Sequence, residues 1–349
     1  MSNTKKEKII RTMHNKQKRV LVTGGAGYVG SVLVPHLLQK GYRLTLLDTF
    51  WFWNSPGEFS AACGRADNLT IISGDLRNRE DVLTSLQEVE RVIHLACISN
   101  DPSSDLDPRF THTVNYTGSI NLIDLAKAAG VKRFIYASSS SVYGLKKELD
   151  VTEDLPLEPL TQYSQLKVEI EHYLLHRLDE HFQGVIIRPS TVCGYSPRQR
   201  LDLVVNILAN LAINKGKMKV LGGEQLRPNI HMKDMVRLYE LLLTVPIEKI
   251  NRQIYNAGYE NLKVKEIAAL VQSIVGAVQI EVEETNDQRS YHICSDKIRR
   301  ELGFDVQHTV AEAIQELKTA FEQKKITNGD DERYYNVKRM KTLLQEGVS

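Results

Sequence analysis

Val20-Leu-Val-Thr-Gly24-Gly25-Ala-Gly27-Tyr28-Val29-Gly30 is the stretch whose reading decides the fold. The apolar run Val20 to Val22 reads as a buried β-strand. It breaks into glycines and then into a helical pattern, Val29, Leu33, Leu37 and Leu38. Gly24 lets the chain turn sharply, Gly27 lets the backbone approach a phosphate, and Gly30 lets the new helix pack close to the strand. The helix start at Tyr28 and Val29 offers unpaired N–H groups and a positive dipole end to a pyrophosphate. Roughly 20 residues on, Asp48 ends the next apolar strand, Tyr42 to Leu47, where a ribose-binding carboxylate belongs.

Working outward, strands alternate with helix-length amphipathic stretches from residue 19 to about 190. This pattern predicts an α/β fold, a doubly wound parallel sheet with helices on both faces. Strand three is Leu69 to Ile72, and Asp75 follows at its carboxyl end, in reach of an adenine amino group. Strand four runs from Arg91 to Ala96, and the small residues after Leu95, Ala96 first, would let a cofactor lie against the backbone. Asn115 falls on the buried side of a predicted helix, where its amide needs partners. Phe50-Trp-Phe-Trp53 holds both tryptophans. It reads either as a core patch under a loop or as a flap over a bound adenosine or a subunit contact. Beyond strand six, Gly184 to Ile187, the alternation weakens. Leu201 to Ile213 reads as helix, Met218 to Leu221 as a short strand, Arg227 to Asp234 as the opening of another helix, and Gln253 to Asn256 as a last sheet strand.

Composition narrows the function. A net charge of +2 excludes nucleic-acid binding by bulk electrostatics. The basic residues from Lys5 to Arg19 are followed by no apolar stretch long enough to be the h-region of a signal peptide, so residues 1–18 read as a solvated extension. No apolar run is long enough to span a membrane. The four cysteines lie far apart, as expected of reduced thiols in a cytoplasmic protein. His172 and His176 share a helix face, but no third ligand accompanies them at metal spacing, so no metal is expected.

Tyr-x-x-x-Lys occurs four times, and only context separates the copies. Tyr163 and Lys167 alone sit in a strong helix pattern directly after the fifth strand, where residues four apart share a face. A lysine ammonium one turn away favours the phenolate, and so does the positive charge of a bound nicotinamide. Lowering the phenol by roughly three units needs about 4 kcal/mol. Tyr163 is then a general base for a hydroxyl, with Lys167 also holding a cofactor ribose.

These motifs resemble the extended, sugar-nucleotide branch of the short-chain dehydrogenase/reductase superfamily, the NAD-dependent epimerase/dehydratase family. The resemblance rests on the glycines at 24, 27 and 30, Asp48, Asp75-Leu76, Asn115, the serines 138–141 with Val-Tyr-Gly144, Tyr163/Lys167, Arg188-Pro189, and Arg-Ser-Tyr with Arg-Arg-Glu-Leu-Gly303. It covers roughly residues 19–305. It implies a Rossmann domain (19–187 plus 228–258), a smaller C-terminal α/β substrate lobe (188–227 plus 259–325) and a C-terminal tail (326–349). It implies NAD as cofactor, held by Gly24, Gly27, Tyr28, Val29, Asp48, Asp75, Leu76, Leu95, Ala96, Asn115, Tyr163, Lys167 and Pro189. The catalytic set would be Ser139, Tyr163 and Lys167. The substrate set would be Ser139, Ser140, Arg198, Arg200, Arg227 and Arg289, with Arg227 and Arg289 clamping a nucleotide diphosphate.

Two departures are visible. Cys294 stands where relatives often have Asp. The run Ser196-Pro-Arg198-Gln-Arg200-Leu-Asp202-Leu replaces the usual Gly-Pro loop and is similar to GDP-heptose 4-dehydrogenases of capsule polysaccharide biosynthesis. The expected activity is nucleotide-sugar epimerisation through a keto intermediate, with C4 oxidised. The alternatives are a 4-dehydrogenase releasing a keto sugar, a 4,6-dehydratase, and a non-catalytic NAD-sensing protein. Serines 139–141, where dehydratases carry Thr, Asp and Glu, argue against water loss. By analogy a homodimer is expected.

Overall fold

The computed structural model describes residues 19–63, 67–148, 150–284 and 292–349. The basic extension 1–18 and Arg289 lie outside them. The strands in chain order are β1 (Arg19–Thr23), β2 (Arg43–Asp48), β3 (Leu69–Ser73), β4 (Val89–His94), β5 (Arg133–Ala137), β6 (Gln183–Pro189), β7 (Thr191–Cys193), β8 (Lys217–Leu221), β9 (Leu226–His231), β10 (Gln253–Ala257), β11 (Glu260–Lys263) and β12 (Gln279–Glu283). Seven of them form one sheet in the order β10-β6-β5-β4-β1-β2-β3. Every neighbouring pair in it is parallel. Val20, Leu21 and Val22 of β1 are all fully buried, as they must be in a sheet covered on both faces.

Helices α1 (Gly30–Gln39), α2 (Gly118–Ala128), α3 (Gln162–Arg177), α4 (Val204–Lys215), α5 (Met232–Thr244), α6 (Val264–Val275), α7 (Val310–Glu322) and α8 (Asn336–Gln345) do the covering. On one face α1 and α5 pack against each other over Val20, Val22, Ile93 and Ile135. On the other, α2 and α3 pack over Leu21, Val92, Phe134 and Ile186. The sheet reverses direction of winding between β1 and β4, so the crevice at their carboxyl ends is where a ligand belongs.

The lobe has its own core, in which α4, α6 and α7 pack on one another. Its two small sheets have the strand orders β11-β9-β7 and β12-β8. The segment 226–231, which reads from sequence as the opening of a helix, is instead strand β9, with α5 beginning only at Met232. Pairing partners on both sides, absent from any local pattern, outweigh local periodicity here. β9 also spans the domain boundary drawn at 228. The stretch 326–349 folds back onto the large-sheet half, where Met340 and Leu343 join a cluster with Ile98, Phe110 and Val114. Among the described residues no helix is long and apolar enough to cross a membrane.

Candidate active site

A cleft of about 770 Å³ runs across the carboxyl ends of the sheet and under the lobe, a size suited to a cofactor or drug-sized ligand. Its floor is the glycine turn. Gly24 has φ +69°, and a Cβ there would lie 2.6 Å from the Ala96 nitrogen. A Cβ on Gly30 would run into the Gly24 carbonyl oxygen and lie 2.5 Å from the Gly25 Cα. On Gly27 it would meet only that same oxygen, at 3.1 Å, and otherwise point at the cleft. Gly24 and Gly30 thus close the turn, and Gly27 keeps its surface open. α1 begins without a side-chain cap and without an acidic residue in its first turn, so its positive end is available to a phosphate. Tyr28, Val29, Leu76, Leu95, Ala96 and Pro189 line the same cleft.

Asp48 accepts from the Ala26 N–H at 2.9 Å and the Phe50 N–H at 2.8 Å. Burial raises its pKa, and these bonds together with the nearby Arg198 charge oppose that rise. The carboxylate therefore braces the glycine turn as well as facing the cleft. Asp75 is gripped by Arg77, whose Nη2 donates to its Oδ2 at 2.7 Å, and it also lines the cleft. Asn115, expected to touch the cofactor, does not line the cleft. It clamps Ile98 instead, accepting from its N–H at 2.7 Å and donating to its carbonyl at 3.0 Å. A π turn, Thr113–Thr117, sits between the helical turns Pro108–His112 and Gly118–Ala128 and carries this asparagine. That fixes the loop leaving β4 and is a structural task.

At the other end, α3 starts at an N-cap box in which Thr161 and Ser164 exchange side chain-to-backbone bonds. Tyr163 follows in the first turn and Lys167 one turn later. Lys167 Nζ donates to the Ala137 carbonyl at the end of β5 at 2.7 Å and sits 5.6 Å from the Tyr163 ring centre. Ser139 Oγ accepts from the Ser141 N–H at 3.1 Å and the Ser141 hydroxyl at 2.9 Å. Two donors on that oxygen leave the Ser139 proton to be given away. Ser140, buried, lines the cleft beside it.

Without a bound nicotinamide, the surroundings of Tyr163 oppose the phenolate. Burial raises the Tyr163 pKa well above its usual value, and the charges of Cys97 and Asp101 raise it further; the Ser139 hydroxyl and Arg200 pull it down. Lys167 keeps its charge while its Nζ donates to the Ala137 carbonyl, and burial is the largest influence on the phenol.

The arginines expected at the substrate face different parts of the cleft. Arg198, expected at the substrate, turns toward the Asp48 end. Its guanidinium lies 3.7 Å from the Phe52 ring centre and donates to Asn336 Oδ1 at 2.5 Å. Arg200 is locked to Asp202 by Nε–Oδ1 and Nη2–Oδ2 contacts of 2.9 and 3.1 Å. Both line the cleft, as do Arg227 and Lys219 on the lobe side, the latter also paired with Glu283 at 2.7 Å. Arg188 builds structure: it forks onto the buried Glu171 at 3.0 and 2.6 Å. Cys294 pairs its backbone with Val151 and Asn256, away from the cleft lining.

Sequence reading misses Glu171, Ser141, Asp101 and Asn336. Glu171 has a signal, since it falls two turns after Tyr163 on one face of α3. Asp101 lines the cleft and accepts from Thr161 Oγ1 at 2.6 Å, and nothing local marks it.

A doubly wound sheet with a glycine turn, a strand-end aspartate and a Ser-Tyr-Lys set in one cleft defines an extended short-chain dehydrogenase/reductase. The residues fit NAD: the open Gly27 surface and the uncapped start of α1 suit its pyrophosphate, and Asp48 suits an unphosphorylated ribose. The model of the family described as NAD dependent epimerase/dehydratase matches residues 20–258, and the chain belongs to that family. It is 30% identical over 264 residues to UDP-glucose 4-epimerase of Bacillus subtilis (strain 168), covering 68% of this chain and 76% of that one. UDP-glucose 4-epimerase of Thermus thermophilus in complex with NAD superposes with TM-score 0.75 at 25% identity, over 87% of this chain and 99% of that one. UDP-glucuronic acid 4-epimerase of Bacillus cereus, in complex with UDP-glucuronic acid and NAD, gives TM-score 0.77 at 26% identity, over 88% and 99%.

Proposed function

We propose that the protein inverts a hydroxyl-bearing carbon, C4, of a nucleoside-diphosphate hexose. The observation that carries this is the convergence of Ser139, Tyr163 and Lys167 on the cleft that the glycine turn floors. NAD, when bound, supplies the acceptor and returning donor of the hydride. The chain's own residues handle the proton. Tyr163 takes it from the sugar hydroxyl and gives it back after inversion. Ser139, held by Ser141, donates to the same oxygen. Burial alone keeps the Tyr163 phenol protonated; Lys167, Arg200 and the positive charge that an NAD nicotinamide would bring when bound together favour the phenolate that takes the proton. Arg227 and Lys219 on the lobe side suit the diphosphate, and Arg289 is proposed to join them. Asp48 repels a 2′-phosphate and so favours NAD over NADP.

A 4,6-dehydratase also needs an acid and a base for C5 and C6. Asp101 is one observation in favour of that reading. A single carboxylate, held as an acceptor by Thr161, serves one of those tasks and not both. Glu153, another acidic candidate, is turned away to the Asn256 N–H at 2.7 Å. The test is incubation with UDP-glucose, with the product read by NMR and mass spectrometry. A C4-inverted product of unchanged mass is expected. Loss of water, or of two hydrogens, would replace epimerisation with dehydration or net dehydrogenation.

A further inference from the structure

Segment 331–345 bridges the two halves of the molecule over one end of the cleft. It begins on the lobe, where the Leu201 N–H donates to the Tyr334 carbonyl at 2.8 Å and Asn210 Nδ2 donates to the Tyr335 hydroxyl at 3.0 Å. It then crosses to the large-sheet half as α8. Asn336 sits at the crossing, 3% exposed, and touches three parts of the cleft wall. Its N–H donates to Asp202 Oδ2 at 3.0 Å. Its Nδ2 donates to the Ser99 carbonyl at 3.1 Å and the Ser99 hydroxyl at 2.9 Å. Its Oδ1 accepts from Arg198.

Further along, Met340 and Leu343 lie on the same helix face as Asn336. They pack in the cluster that includes Trp51 and Phe52, and Arg339 Nε donates to the Trp51 carbonyl at 2.7 Å. Trp51 and Phe52 also line the cleft, just after Asp48. The aromatic loop is thus held between the cleft on one side and α8 on the other. Trp53 ties it down from below, donating to the Ala26 carbonyl of the glycine turn at 2.7 Å. A dinucleotide with its pyrophosphate on that turn and its ribose at Asp48 places its adenosine half beside this loop.

We propose that segment 331–345 is a strap that holds the adenosine-end wall closed over NAD, with Asn336 as the positioning residue that latches it. Release of the cofactor requires the Asn336 contacts to Ser99, Arg198 and Asp202 to open and the aromatic loop to lift. Retention suits a reaction that returns the hydride to the sugar it came from, since no outside oxidant is then consumed. The proposal rests on NAD occupying the cleft as described above.

The test uses the full chain loaded with NADH and mixed with excess NAD, following loss of bound-NADH fluorescence. Asn336→Ala removes the side-chain contacts of the latch, to Ser99 and Arg198, and Arg339→Gln removes a bond from the partly exposed rim of the strap. Melting curves without cofactor confirm that each variant is folded. Release roughly tenfold faster or more in either folded variant, with binding changes residing in the off-rate, is the expected result. Release within twofold of the parent in both variants would overturn the strap. Failure of the parent to bind NADH would instead overturn the cofactor reading beneath it.

Discussion

At the Tyr163 end of the cleft, Ser139, Tyr163 and Lys167 come from consecutive elements: the end of β5, the serine turn and α3. At the Asp48 end, the wall is assembled from Trp51, Ser99, Arg198 and Asn336, with partners 138 and 237 residues apart in sequence. The first end is placed by local rules: an N-cap box, a helix face and a strand-end carbonyl. The second depends on tertiary contacts, and its arginine and asparagine satisfy each other only once the chain has folded.

The largest effect expected of a single change falls at the local end. Tyr163→Phe removes the hydroxyl that takes the proton and should lower turnover by roughly 10²–10⁴-fold, with NAD binding retained by titration calorimetry. Near parental turnover would remove Tyr163 from its role.

The glycine turn, shared by both ends, separates folding from binding. Gly30→Ala drives a Cβ into the Gly24 carbonyl oxygen and should destabilise the protein by about 1–3 kcal/mol in denaturant unfolding. Gly27→Ala meets a single atom at 3.1 Å. It should fold nearly as well as the parent yet bind NAD more weakly. Equal stability losses in the two variants would erase the distinction drawn between them.

Asp101 sharpens the chemistry of the Tyr163 end. Its charge acts on Tyr163, so a carboxylate on the sugar should be penalised there. UDP-glucuronic acid is expected to react roughly tenfold or more slowly than UDP-glucose, because opposed like charges cost a few kcal/mol. Asp101→Asn should narrow the gap, measured as the ratio of kcat/KM values.

His94 lies at the carboxyl end of β4, between the two ends, bonded to Thr23 at 2.7 Å and Ser119 at 2.9 Å. Burial, aided by the charge of Lys167, lowers its pKa to about 3. Below the ordinary value the unfolded chain takes up a proton that the folded one refuses. Stability is therefore complete above pH ~6.5 and is lost as pH falls from there toward the folded value. The loss should be about 1 kcal/mol between pH ~7 and pH ~5.5, and His94→Gln should remove it from the unfolding curve.

The same contrast explains what can be read from the sequence. The sheet, the glycine turn, Asp48 and the Tyr163–Lys167 helix are legible because strand alternation, glycine placement and helix spacing are local signals. β9 reads as helix because its identity as a strand comes from β7 and β11. Arg198 reads as a substrate contact because a loop motif does not disclose which wall its side chain will join. Asn115 reads from its buried helix position as a tie between neighbouring elements and only by resemblance as a cofactor contact, and its amide does serve the Ile98 backbone. Nothing near Asn336 in sequence announces the residues it holds.

The central claim is that Tyr163 works in a cleft whose NAD takes and returns one hydride without leaving. Its most direct test is a nucleotide sugar carrying deuterium at C4, incubated with the protein and excess unlabelled NAD. The account predicts a C4-inverted product that keeps its deuterium. A product that has lost it, with labelled NADH in solution, or one lighter by a molecule of water, would contradict the account.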